Sequence, residues 1–175
     1  MSSKILTYGL AGALVCIACA GMAQPTNKVT TVKKNTPAKK TLGSKVEWQT
    51  DFGKASAEAK ADNKYILMDF SGSDWCGWCI KLDQEVFSKK AFKEFAKSDL
   101  VCVLVDFPNS KKLPAKLVRQ NEELKNKYKI GGFPTVILLS PDGELAGETG
   151  YQDGGPEKYV EHLKKMIESH KQKVK

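Results

Sequence analysis

The chain has 175 residues, of which 41% are apolar and 27% charged, and this composition suits one soluble globular domain with tails. The formal net charge is +8, but residues 1–45 hold seven lysines and no acid, whereas residues 46–175 hold 21 basic and 20 acidic residues. The basic excess therefore belongs to the N-terminal segment, which argues against nucleic acid as a partner, because a nucleic-acid-binding domain would carry the basic face itself.

Residues 1–23 have the layout of a secretory signal peptide. Lys4 precedes a mostly apolar run of 19 residues, and small residues at 18–20 and 21–23 offer two cleavage sites. Two alternatives stay open: a lipoprotein acylated at Cys19, and an uncleaved anchor, because the run is near the lower limit for crossing a bilayer. All three interpretations export the domain, to the periplasm or outside the cell. The lipoprotein and the uncleaved anchor would also attach it to a membrane through its N-terminus.

Residues 24–45 are rich in Thr, Lys, Asn, Pro and Ala and contain almost no large apolar side chains. Such a segment cannot bury enough apolar surface to offset the entropy of ordering its chain. It is therefore predicted to be a disordered basic tether, and the folded domain is predicted to occupy residues 46–175.

The domain alternates between helical and strand patterns, judged by hydrophobic periodicity and by turn residues. In chain order the sequence predicts a helix at 51–63, a strand at 65–70, a turn at 71–74, a helix or a broken pair of helices at 76–97, a strand at 100–107, a helix at 114–129, a strand at 135–139, a turn at 141–143, a strand at 144–151 and a helix from 156 to about 170. Alternation followed by a hairpin predicts an α/β domain whose mixed central sheet has helices on both faces.

Cleavage after residue 23 would leave three of the five cysteines, namely Cys76, Cys79 and Cys102. Cys76 and Cys79 are three apart at a predicted helix start, where unpaired backbone N–H groups and the helix dipole lower the pKa of a thiol. Cys76 is thus predicted to attack as a thiolate, and Cys79, one turn further in, to resolve the mixed disulfide. Cys102, in a valine-rich strand, is expected to be a buried small hydrophobe.

Structural zinc is an alternative use of the cysteine pair. It calls for four ligands, and the chain has no second pair of this kind. The two histidines, His162 and His170, are expected to be ordinary surface residues. No metal site is therefore predicted.

The segment Trp75-Cys76-Gly77-Trp78-Cys79, with Asp69-Phe70 before it and residues 131–135 (Gly-Gly-Phe-Pro-Thr) after it, resembles the thioredoxin superfamily. The nearest likeness is to exported bacterial thioredoxin-like proteins with a Cys-Gly-Trp-Cys centre. The resemblance covers roughly Val46 to Ile167 and implies a thioredoxin fold.

The resemblance also implies roles for site residues. Pro134 would be a cis-proline facing the disulfide, which exposes the backbone of Phe133 for strand-like pairing with a bound chain. Asp69 would be a buried acid that takes up the proton of Cys79. A second interpretation makes Asp69 a turn cap, because it lies seven residues before Cys76, one more than in an ordinary thioredoxin.

The residues around the pair would meet the substrate. Trp75 and Trp78 would form an apolar rim for docking, and Gly77 between them would also bind substrate, although packing of Trp75 on its own domain is an equal alternative. The interval between Asp106 and Pro134 is longer than a minimal thioredoxin requires, which is expected to alter partner choice.

The resemblance implies a thiol–disulfide oxidoreductase that acts on exported proteins, with the reductase or isomerase direction favoured. It would need no cofactor beyond the redox-active disulfide Cys76–Cys79. Its partners would be protein thiols and disulfides and an electron donor or acceptor, which could be membrane-bound, and the protein would be a monomer. The alternative function is a copper(I)-binding, metal-delivery protein that uses the same pair, because soft thiolates suit that ion.

Overall fold

The computed structural model describes residues 46–174, so the predicted signal peptide and tether lie outside the described residues. The elements of the described part are β1 (Trp48–Gln49), α1 (Phe52–Asp62), β2 (Tyr65–Ser71), α2 (Gly77–Leu82), a π-helical turn (Asp83–Phe87), α3 (Lys90–Asp99), β3 (Leu100–Asp106), α4 (Ala115–Lys127), β4 (Thr135–Leu139), β5 (Leu145–Thr149) and α5 (Gly155–Lys173). No helix among these residues is long and apolar enough to span a membrane.

The strands form a mixed sheet in the order β1-β3-β2-β4-β5. β1, β3 and β2 are parallel, whereas β4 is antiparallel to β2 and to β5. The register pairs Ser71 with Asp106 and Phe70 with Thr135. The carboxyl ends of β2 and β3 and the amino end of β4 therefore meet at one edge of the sheet.

Side chains alternate between the two faces of the sheet and supply two hydrophobic clusters. The odd-numbered residues of β2 face the first cluster, with α3, α5 and the π-helical turn, and the even-numbered residues face the second, with α1 and α4. The first cluster includes Leu67, Leu82, Val86, Phe87, Phe92, Phe95, Cys102, Tyr159 and Leu163. The second includes Ala55, Ala59, Ile66, Met68, Phe70, Val103, Leu124 and Ile137. The predicted α/β architecture, with helices on both faces, is confirmed.

The long helical pattern after the cysteines is a broken pair of helices. Ser88 N donates to the carbonyl oxygen of Asp83 at 2.8 Å, a bond that spans five residues and widens the helix there. A second helix, α3, then starts at Lys90. Such π-helical turns are frequent at functional sites.

Two features differ from the sequence predictions. The short strand β1 was not predicted, because two residues carry no readable periodicity; it exists because it pairs with β3 at Cys102 and Val103. His170 is not a surface residue: it is 8% exposed, and its Nδ1 lies 3.2 Å from the hydroxyl oxygen of Tyr65. His162 is half-buried and contacts Thr149 through its Nε2, at 3.1 Å.

Candidate functional site

The cysteine pair lies at the amino end of α2, at the sheet edge where β2 ends. Cys76 and Cys79 form a disulfide with their Cα atoms 5.3 Å apart. Cys76 is the N-cap of α2, and the backbone N–H of Cys79 donates to its sulfur at 3.2 Å. This donor and the helix dipole favour a negative charge on that sulfur once the disulfide is reduced. Both residues are buried, Cys76 at 7% exposure and Cys79 at 4%.

A tight turn connects β2 to the cysteine pair. The backbone N–H groups of Trp75 and Cys76 both donate to the carbonyl oxygen of Gly72, at 3.2 and 2.8 Å. A Cβ at Gly72 would clash with the Trp75 indole, so glycine at this position lets that ring pack against the turn. A Cβ at Gly77, by contrast, would meet open space, which leaves the surface beside Cys76 clear.

The segment after β3 is fixed to this turn by hydrogen bonds. The Asp74 carboxylate accepts the backbone N–H groups of Asn109 and Ser110, at 2.9 and 2.7 Å, and the Ser110 hydroxyl. These donors hold the pKa of Asp74 well below its usual range, at about 2. The Asp106 carboxylate accepts the N–H of Ser73 at 2.9 Å. Part of the long segment between Asp106 and Pro134, at residues 109 and 110, is therefore held next to the turn that precedes the cysteines.

Three aromatic rings continue this surface beyond the disulfide. The indole N–H of Trp75 donates to the carbonyl oxygen of Phe107 at 2.7 Å, and Phe133 packs edge-on against Trp75 and is stacked on Phe107. Lys125 Nζ lies 5.2 Å from the Phe107 ring centre. The rings line a groove of about 370 Å³. Trp75 packs on its own domain and is also 48% exposed, so its role in docking stays a prediction.

The Phe133–Pro134 peptide bond is cis, and it immediately precedes β4 at the same edge of the sheet. Trp78, between the two cysteines in sequence, is 58% exposed. Its ring packs against Tyr151 at 5.1 Å, and Lys81 Nζ lies within 4.9 Å of both ring centres. Trp75 and Phe133 therefore contact each other, whereas the ring of Trp78 contacts Tyr151.

Asp69 lies inside β2, on the sheet face that carries the first hydrophobic cluster. It is 6% exposed, and its Oδ1 accepts no hydrogen bond from residues 46–174. Burial first, and then the charges of Asp83 and Asp106, raise the pKa of Asp69 to about 7. Because β2 continues to Ser71 and Oδ1 has no donor, this placement does not fit the turn-cap interpretation.

A cleft of about 350 Å³ connects Asp69 with the cysteine pair. Its lining includes Asp69, Cys79 and Asp83. Cys79, the inner cysteine, therefore shares a solvent-accessible space with a carboxyl group that can hold or release a proton near neutral pH. The arrangement can exchange two electrons with a dithiol or a disulfide and can move the accompanying proton.

Cys102 takes no part in this surface. It is 2% exposed in the first hydrophobic cluster, and burial raises the pKa of its thiol, so it is the buried small hydrophobe that the sequence predicted. Within residues 46–174, no group of three or more His, Cys, Asp or Glu side chains is placed to hold a metal ion.

Sequence reasoning did not single out four residues of this region: Asp74, Asp83, Phe107 and Tyr151. Asp74 falls in a predicted turn, which is a signal for a capping carboxylate, but the residues that it caps are 35 and 36 positions away. The ring contacts of Phe107 and Tyr151 also depend on the folded chain. No local pattern could have identified them.

Comparison with known proteins gives a consistent result. A family model described as a thioredoxin-like domain matches residues 52–167. Disulfide bond reductase DsbH of Chlamydia pneumoniae is 35% identical over 122 residues, which cover 70% of this chain and 73% of that protein. Thioredoxin-related protein DsbJ of Chlamydia pneumoniae is 33% identical over 112 residues, which cover 60% of this chain but 32% of DsbJ.

Solved structures agree. The DsbH oxidoreductase matches with a TM-score of 0.68 at 35% identity, over 71% of this chain and 85% of that one. A thioredoxin from Thermus thermophilus, at 18% identity, matches with a TM-score of 0.54 over 70% of this chain and 87% of that one, and shows the fold alone.

Proposed function

The chain belongs to the thioredoxin-like domain family, and from this premise we propose that it reduces or isomerises disulfide bonds in exported proteins by dithiol–disulfide exchange. The family and the relatives make it a thiol–disulfide oxidoreductase. The observation that carries the proposal is the Cys76–Cys79 pair at the amino end of α2, next to a buried carboxyl group. The reducing direction is supported by the likeness to a protein named as a disulfide bond reductase.

In the first step, the Cys76 thiolate attacks a sulfur of the client disulfide. A bond forms between Cys76 and that sulfur, the client disulfide breaks, and the other client sulfur leaves as a thiolate that takes a proton from water. The N–H of Cys79 and the α2 dipole stabilise the attacking anion.

In the second step, the Asp69 carboxylate takes the proton of Cys79. The resulting Cys79 thiolate attacks the Cys76 sulfur, the disulfide Cys76–Cys79 forms, the bond between Cys76 and the client breaks, and the second client sulfur leaves as a thiolate that takes a proton from water. The client gains two electrons and the enzyme loses two. An external electron donor must then reduce the enzyme disulfide. No further cofactor enters these steps.

Client docking is assigned to the aromatic surface around the pair. The backbone of Phe133, directly before Pro134 and β4, would pair with an extended client segment. Trp75 and Trp78, each about half exposed, flank the disulfide and can contact apolar side chains of the client. Export of the domain is supported by the signal-peptide pattern of residues 1–23, and the electron donor would then act outside the cytoplasm.

The proposal predicts that the purified protein catalyses insulin reduction with a dithiol donor. Cys76→Ser should abolish the activity, because the attacking thiolate is lost. Cys79→Ser should trap a mixed disulfide with the client, visible by non-reducing electrophoresis. Cys102→Ala is the matched control, and it should keep the activity. A Cys76→Ser variant that still reduces insulin would overturn the assignment.

The reduction potential of the Cys76–Cys79 couple tests the direction. A value near about −270 mV, as in thioredoxin, supports a reductant, whereas a value near about −120 mV, as in strong disulfide oxidants, would contradict the reducing direction. Equilibration with glutathione, followed by mass spectrometry of the alkylated protein, gives this value. The copper(I) alternative predicts instead that the metal binds the reduced pair and that insulin is not reduced.

A further inference from the structure

The cleft beside Cys79 is lined by a second carboxyl group, that of Asp83, in addition to the proposed proton acceptor Asp69. Asp69 is buried at its inner end, and Asp83, an exposed residue, lines the same cleft. At about 350 Å³ the cleft has room for roughly ten water molecules, and its lining includes the carboxyl groups of both residues. Asp69 and Asp83 thus line one cleft that water can enter.

The backbone explains why Asp83 lies there. Asp83 is the first residue of the π-helical turn, and its carbonyl oxygen accepts the N–H of Ser88. The widened turn directly follows α2, which carries Cys79. Asp83 thus follows the resolving cysteine by one helical turn, on a segment whose geometry differs from a regular helix.

The titratable groups around Asp69 come from four elements packed against it. They are Cys79 on α2, Asp83 on the π-helical turn, Cys102 and Asp106 on β3, and Tyr159 on α5. The charges that act on Asp69 are both negative, those of Asp83 and Asp106. The Asp106 carboxylate already accepts hydrogen bonds from Ser73, whereas Asp83 faces the cleft.

We propose that Asp83 is a positioning residue for proton transfer: across the cleft, its negative charge sets the pH at which Asp69 accepts the proton of Cys79, and the proton then leaves through the cleft past Asp83. This rests on the proposed role of Asp69 in the second step. The transfer converts the Cys79 thiol and the Asp69 carboxylate into a thiolate and a carboxylic acid. The acid then returns its proton to water.

The test separates the two steps with a small disulfide, 5,5′-dithiobis(2-nitrobenzoate), which needs no protein client. Attack by the Cys76 thiolate releases one coloured thiolate, and attack by Cys79 on the mixed disulfide releases the second. Stopped-flow spectroscopy follows the second release against pH. In the wild-type protein its rate should rise with pH about a midpoint that reports Asp69.

Asp83→Asn should move this midpoint to lower pH, by about 0.3 to 1 unit, because the like charge that disfavours the Asp69 carboxylate is removed. Gln84→Glu adds a carboxylate to the lining of the same cleft and should move the midpoint to higher pH. High salt should reduce both shifts, because Asp83 and residue 84 are exposed. Glu94→Gln, on the exposed face of α3, is the matched control and should leave the midpoint unchanged.

A carbon-13 NMR titration of the Asp69 carboxyl in the oxidised protein gives the same midpoints without turnover. This titration also distinguishes the proposed role of Asp83 from the proposed function. It can be measured even if the protein does not reduce insulin. The inference requires both shifts with opposite signs. If either Asp83→Asn or Gln84→Glu leaves the Asp69 midpoint in place, the inference is wrong.

Discussion

At the scale of single residues, the proposed chemistry depends on a carboxyl group that the fold keeps in an unfavourable place. Asp69 is buried, and its Oδ1 has no hydrogen-bond donor among residues 46–174. Burial of an ionised carboxylate without partners costs free energy, so the group stays protonated to unusually high pH. A residue of this kind weakens the fold, and a role in proton transfer gives a reason for its presence.

Asp69→Asn keeps the size of the side chain but removes its ability to take a proton. The first thiolate release from the small disulfide should be unchanged, whereas the second should slow about 10²-fold or more, because general-base catalysis is lost. Stopped-flow spectroscopy measures both phases on one sample. Equal second phases in variant and wild type would mean that Asp69 is not the proton acceptor.

The same variant has a defined pH signature in stability. The folded-state pKa of Asp69 is raised to about 7 from a reference value of 3.8. The wild type therefore loses stability as the pH rises from about 4 to about 7, since the unfolded state ionises first. The variant should lack this loss and should be more stable than the wild type above pH 7, as urea denaturation at pH 5 and 8 would show.

Residue types alone predicted part of this site. The pair of cysteines three apart was enough to assign Cys76 and Cys79 to a helix start. The role of Asp69 stayed open, because its seven-residue distance from Cys76 departs from the thioredoxin pattern. In the structure the additional residue lies in the turn between β2 and α2. The backbone N–H groups of Trp75 and Cys76 donate to the carbonyl oxygen of Gly72, and Cys76 is still the N-cap of α2. Turn geometry of this kind depends on distant contacts that the sequence does not display.

At the scale of elements, the segment after β3 is the part that distinguishes this site. It contributes Phe107 to the aromatic groove, and its backbone is fixed by Asp74 from the turn before the cysteines. The sequence predicted the extra length but not its position, because the contacts join residues more than 30 apart. Elements with strong periodicity, such as β2, β4 and α5, were predicted to within a few residues.

Asp74→Ala removes three acceptor contacts to Asn109 and Ser110 and should loosen this segment. The KM for insulin should rise about threefold to tenfold, because one wall of the docking groove loses its fixed position. The reduction potential and both thiolate releases from the small disulfide should stay unchanged, since Asp74 does not line the Asp69 cleft.

Asp142→Ala serves as the matched control for this prediction. Asp142 also forms a surface contact, an exposed ion pair with Lys60, but it lies in the turn between β4 and β5. It should leave the KM unchanged. Hydrogen exchange should show faster exchange at residues 109 and 110 in Asp74→Ala alone. If the KM of Asp74→Ala equals that of the wild type, the segment after β3 takes no part in client docking.

At the scale of the whole molecule, the topology explains why so many site residues meet. Parallel β2 and β3 end at one edge of the sheet, and antiparallel β4 begins there. The turn with the cysteines, the segment after Asp106 and the cis-proline therefore converge, although they are far apart in sequence. The order of helices and strands in the sequence predicted the mixed sheet, but the strand order and register that produce this convergence come from the structure.

The boundary of the folded domain is the remaining prediction at this scale. Residues 24–45 are too polar to join a core, so removal of residues 1–45 should leave a folded, active enzyme. The boundary cannot lie much later. Val46 and Trp48 pack against the first hydrophobic cluster, and Trp48 lies 5.2 Å from the Phe87 ring. Trp48 also lines the Asp69 cleft, so β1 contributes to both the stability and the site.

Two truncations test this boundary. The protein that starts at residue 46 should match the full-length chain in melting temperature and insulin reduction. The protein that starts at residue 51 also loses β1, and it should lose about 2–4 kcal/mol of unfolding free energy, because a large aromatic contact and a strand pairing are removed. Urea denaturation measures the difference. A marked loss of stability on removal of residues 1–45 alone would place part of that segment in the folded domain, and an unchanged stability without residues 46–50 would show that β1 contributes nothing to it.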